Sequence, residues 1–136
     1  MGTIVLSRVH DHERHEGRSY LVERLWPRGV RRDDLQMDGW AKDVAPSSEL
    51  RKWFGHDPER WAEFRRRYFA ELDEHPEAWR PLVDAARSGT LTLLYSTRDR
   101  EHNNAVALRD YLEARLADGR PRRIRPGRSA PPAGTP

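Results

Sequence analysis

Four arginines and two histidines of this sequence stand where they could do chemistry: Arg24, Arg28, Arg51 and Arg98, with His56 and His102. A guanidinium is planar, permanently charged and shaped to grip a carboxylate or phosphate with paired hydrogen bonds. An imidazole titrates near neutrality and suits general acid or base work. The chemistry these types suggest is recognition of a small anion, with proton transfer through His56 or His102 if a reaction follows. Whether the chain is an enzyme is left open by the residues. A hydrolase or transferase here would run through histidine, carboxylate, serine or water, because the chain has no cysteine and thiolate nucleophiles, Cys-type zinc sites and dithiol redox chemistry are thereby excluded.

The positions sharpen that reading. Arg24-Leu25-Trp26-Pro27-Arg28-Gly29 follows the strand-like run Tyr20-Leu21-Val22. Pro27 has no N–H to give a ladder and Gly29 frees the backbone to turn, so Arg24, Trp26, Arg28 and Gly29 fall at a strand end, where open α/β folds bind ligands. A second loop, Lys42 to Ser48, leads into a helix start with Asp43 and Ser47, followed by Arg51. A third, Tyr95 to Asn103, carries Tyr95, Arg98, Asp99, His102 and Asn103. If the strands run parallel, all three loops open on one edge.

Each candidate has a plainer role. Ser47 is read as a helix N-cap before a nucleophile, Asp99 as a cap of the last helix, and Trp26 as a core side chain with its N–H satisfied. Arg24 sits where a strand end would be apolar, so it needs a partner, and Asp43, Glu49 and Asp99 are available. A structural salt-bridge network therefore competes with a ligand site. His10, His12 and His15 lie in a polar loop without a frame, and no metal site or cofactor is expected.

The elements needed to position these groups are a small, mainly parallel sheet covered by helices, an α/β layered architecture of Rossmann-like or flavodoxin-like type. Residues 3–9 and Thr90–Tyr95 read as strands, the latter apolar enough to be covered on both faces. Arg31–Leu35 reads as a short helical turn, and Met37–Val44 as a short strand or a half-buried extended stretch. Ser47 or Ser48 starts a helix ended by Gly55. Asp57-Pro58 starts an amphipathic helix over 58–74, Pro76 starts another stopped at Ser88-Gly89, and a last helix runs from about Arg100. The first two strands could alternatively pair as a hairpin.

At 136 residues one domain over 1–117 is expected, followed by an Arg- and Pro-rich tail, 118–136, expected to be disordered. The formal net charge is +3 and the pI about 9.7. The tail holds five arginines against Asp118, which leaves residues 1–117 at −1, so the body lacks the broad basic face that nucleic-acid binding needs. No stretch approaches the ~20 apolar residues of a membrane span. With no signal peptide at the start, a cytoplasmic protein with no membrane partner is expected.

Four strings in one order carry a resemblance: Arg24 to Gly29; Trp40 with Lys42 to Ser47; Glu49 to Pro58; and Leu93-Leu94-Tyr95 with Arg98-Asp99 and Glu101-His102-Asn103. Over roughly residues 3–115 the chain resembles the YeaO-like family of bacterial proteins, domain-of-unknown-function family number 488. The resemblance implies a compact cytoplasmic α/β domain and brings no established reaction, substrate or cofactor. Its motifs fall on the three loops and on the Leu50–Pro58 stretch. The chain departs from the family pattern at Ser96-Thr97 and at Asn104, where histidine is common. The first functional reading is an enzyme or binder for a small anionic or nucleotide-like ligand. The second is a nucleic-acid-associated or regulatory module using the tail, and the third a homo-oligomer without catalysis.

Overall fold

A computed structural model describes residues 3–11 and 16–118 of the chain. The expectations for the tail beyond Asp118 and for His12 and His15 lie outside the described residues. Four strands, β1 (Thr3–Arg8), β2 (Arg18–Leu21), β3 (Gly39–Trp40) and β4 (Thr90–Tyr95), form one all-parallel sheet in the order β1-β4-β2-β3. β4 pairs with β1 from Thr3↔Thr90 to Arg8↔Tyr95, and with β2 from Arg18↔Leu91 to Leu21↔Leu94. The hairpin alternative is not what forms: β4 lies between the first two strands. Gly17 helps to make that possible, since at φ +73° a side chain there would put its Cβ 2.1 Å from the Thr90 carbonyl oxygen.

Four helices follow the chain: α1 (Ser48–Phe54), α2 (Trp61–Asp73), α3 (Pro76–Ser88) and α4 (Asn104–Asp118). Short 3-10 turns lie at Val9–Asp11, Arg32–Asp34, Lys42–Val44 and Pro58–Arg60. Ser47 is the N-cap of α1, its Oγ accepting from Leu50 N at 3.1 Å, and Gly55 at φ +54° ends it. The helix read over 58–74 opens as a 3-10 turn capped by Asp57 before α2 begins. The last helix begins at Asn104 and not near Arg100, because Asn103 is its cap: Oδ1 accepts from Val106 N at 3.0 Å.

Both faces of β4 are covered, as its apolar run requires: Leu91 to Tyr95 are all buried. On one face Leu91, Leu93 and Tyr95 join the large core with Phe54, Phe64, Tyr68, Leu82, Leu108 and Leu112 from the helices. On the other, Leu94 and Leu21 meet Val9, Val30, Trp26 and Trp40. That second cluster takes its cover from the connection after β2, not from α1 to α4. The buried Tyr68 hydroxyl donates to the Val44 carbonyl, tying α2 to the turn before α1, and burial pushes this phenol's pKa up. No helix of the described residues is long and apolar enough to cross a membrane.

Candidate functional site

Parallel strands send their exits to one edge, and there side chains bind the loops to one another. Glu23, two residues past β2, accepts from Ser96 N at 2.9 Å and from Ser96 Oγ at 2.6 Å, so the exits of β2 and β4 are clamped together. Asn104 Nδ2 donates to the Val22 carbonyl at 2.7 Å, fixing the start of α4 to the same point. Arg24 reaches the second loop, Nη2 donating to Ala45 O at 3.2 Å and Nε to Pro46 O at 3.3 Å. Its partners are backbone carbonyls. The ion pairs of the described residues include none between Arg24 and Asp43, Glu49 or Asp99.

Between these loops opens a crevice of about 290 Å³. Arg24, Arg28 and Arg51 line it with His56 and His102. Arg28 and Arg51 are exposed, and among the described residues neither is held by a carboxylate. Phe54 and Phe64 form its apolar wall, their rings 4.4 Å apart at 25°. Trp26 also borders it, though its indole N–H is spent on Val30 O at 2.7 Å and its ring packs edge-on to Trp40.

The two histidines stand differently. His56 follows Gly55 with a left-handed backbone at φ +59°, a conformation side chains other than glycine rarely adopt, and is exposed beside Phe54. His102 is half-buried, its ring edge-on to Trp61 at 5.4 Å and its Nδ1 3.2 Å from Asp99 Oδ2. Partial burial works to raise the Asp99 pKa, but the backbone N–H groups of Glu101 and His102 on Oδ1, with the His102 ring, hold it below the usual carboxylate value. The arrangement fixes one imidazole nitrogen on a carboxylate at the crevice wall.

The remaining sequence-derived candidates divide. Asn103 borders the crevice, but its side chain is used within the α4 cap, Nδ2 donating to Asp99 O at 2.8 Å. Gly29 (φ +78°) turns the chain and Tyr95 packs in the helix-side core; neither borders the crevice, and nor do exposed Arg98 or Asp99 itself. Asp43 and Ser47 line a second hollow of about 510 Å³ that Arg24 also borders, with Glu49, Glu71, Glu74 and Glu77. There Ser47 donates to Glu71 from both N (2.9 Å) and Oγ (2.6 Å), which accounts for its hydroxyl.

Glu23, Ser96 and Asn104 build the site without being among the ligand candidates read from the sequence. Glu23 adjoins the hexapeptide at a strand end, where a carboxylate needs a partner as much as Arg24 does. That was the available signal.

The family model described as the inactive DUF488-N3 subclade matches residues 3–132. An uncharacterised protein YeaO of Escherichia coli K12 is 43% identical over 112 residues, covering 82% of this chain and 97% of that protein. Uncharacterised proteins of Mycobacterium bovis and Mycobacterium tuberculosis are 39% identical over 111 residues, covering 81% of this chain and 93% of theirs. No solved structure gives a significant match. The chain belongs to the YeaO-like DUF488 family, in the branch described as its inactive N3 subclade.

Proposed function

We propose that this protein binds a small carboxylate or phosphate at the strand-exit crevice, with Arg28 and Arg51 as its charged grips and Arg24 as a fixed wall. The observation that carries the reading is that Arg28 and Arg51 share one crevice and, among the described residues, neither has a carboxylate partner. Two guanidinium groups exposed to one concave surface raise the local potential for an anion and retain their donors for it. The family's description as inactive favours binding over turnover. His56 and His102 are then donors or proton-holding groups at the ligand, and His102 is kept in one orientation by Asp99. A cytoplasmic location belongs to the same proposal.

Thermal denaturation of the full chain against graded phosphate, sulfate and acetate at fixed ionic strength tests it. Saturable stabilisation that disappears in the Arg28→Ala/Arg51→Ala variant is expected. Equal stabilisation of both proteins, or none, contradicts it. The second reading, nucleic-acid association, is favoured by the five arginines after residue 118. Oligonucleotide binding that weakens with salt and vanishes on removal of residues 118–136 would support that reading.

A further inference from the structure

The two edges of the sheet are not alike. β3 ends it on one side with two residues, too few to template another strand. β1 ends it on the other with six, Thr3 to Arg8. Charges, proline and brevity are the usual means of closing an edge to pairing, and β1 has none of them before Arg8. At its centre stands Val5, 40% exposed, one of two large apolar side chains so exposed among the described residues. The hydrogen-bonding phase of β1 is fixed as well. Thr3 N donates to Gly89 O at 3.4 Å, so in the register Thr3↔Thr90 the peptide groups of Thr3, Val5 and Ser7 turn toward β4. Those of Ile4 and Leu6 turn outward, to a side on which the described residues place no strand.

We propose that β1 is a homodimer interface: two copies of this chain pair antiparallel through that edge, about a two-fold axis at Val5, and make one continuous sheet. The segment is its own complement in this register. Ile4 of one copy falls opposite Leu6 of the other, and their outward N–H and C=O groups exchange both bonds. Val5 meets Val5 between them at the close, non-hydrogen-bonded position. Thr3 falls opposite Ser7, so no like charges meet. A slip of one residue sets Ile4 against Val5, whose peptide groups are already spent on β4. A slip of two sets Val5 against Ser7 and loses the valine pair. Antiparallel pairing is what a two-fold axis produces, and it closes the assembly at two copies. Pairing of β1 with β3 of another copy would leave further edges open, and β3 has only two residues to offer. The inference is independent of the anion-binding reading.

Sedimentation equilibrium of the full chain over a concentration series tests this, and the expected limiting mass is twice the 15.9 kDa of one chain. Val5→Lys sets two like charges face to face and should weaken association about tenfold or more. Its circular dichroism should match that of the parent, because the position is exposed. The lack of cysteine permits a check of register. Under mild oxidation Val5→Cys should join two copies by a disulfide, since a non-hydrogen-bonded pair brings its Cβ atoms to about 4.5 Å, within bridging range. Leu25→Cys, also exposed but away from the edge, should not. A single-chain mass at every concentration up to about 1 mM, where even a pair of millimolar Kd would be half formed, would overturn the proposal. So would a dimer that Val5→Lys leaves intact, or cross-linking that is equal at the two positions.

Discussion

The arginines of α2 and those of the crevice are chemically identical and differently employed. On α2, Arg66 and Arg67 both hold Glu63, Arg67 at 2.7 Å, and Arg65 reaches Asp110 of α4 at 3.0 Å. Arg67 also lies over the Trp53 ring at 4.4 Å. Each of these cations is matched by a carboxylate within its own helix or on α4. At the crevice, Arg24 is matched by two carbonyls, and Arg28 and Arg51 by no carboxylate among the described residues. An arginine-rich composition therefore says little by itself; whether each charge is already satisfied separates a solvated helix face from a surface built to receive something.

Replacing both Arg28 and Arg51 by alanine should break this contrast most severely. Each loss of a charge-assisted contact is worth about tenfold or more in anion affinity, so titration of the double variant should show roughly a hundredfold weakening. Its urea midpoint should stay close to that of the parent, since exposed substitutions away from packed features move stability by only about 0.5 kcal/mol. Arg24→Met reverses the pattern: it strands the carbonyls of Ala45 and Pro46, and urea unfolding should show a loss of about 1–3 kcal/mol. Ser47→Ala removes the α1 cap and the hydroxyl donor to Glu71, leaving only the backbone N–H to it, and the same measurement should show about 1 kcal/mol lost.

The smallest effect belongs to α2. Arg66 and Arg67 lower the Glu63 pKa from 4.5 to about 2. A depressed folded pKa gives stability that is present above the unfolded value and is lost as pH falls toward about 2. Glu63→Gln should therefore flatten the fall of Tm between pH 5 and pH 2, and leave anion binding at neutral pH unchanged. A full-sized acid transition in that variant would remove Glu63 from the account.

Much of this arrangement was legible in sequence because its signals are local. Pro27, Gly29, Pro46 and the Ser47 cap mark strand exits and helix starts with backbone chemistry that tertiary contacts do not override, and parallel pairing brings those exits to one edge. The insertion of β4 between β1 and β2 was not legible, since it depends on pairing between segments some seventy residues apart. The destinations of the polar side chains were equally hidden. Asp43 and Arg24 lie near each other in sequence logic, yet Arg24 chose carbonyls, and Asn103, read as a ligand contact, is used within a helix cap. Asp99 was read as capping α4; it instead holds the turn before it and the His102 ring.

The contrast between paired and unpaired arginines can be read in one spectrum. Titrating the full chain with inorganic phosphate while following arginine Nε–H resonances should move Arg28 and Arg51 along a saturable curve and leave Arg66 and Arg67 in place. Shifts spread evenly over all four, or none at Arg28 and Arg51, would contradict the account.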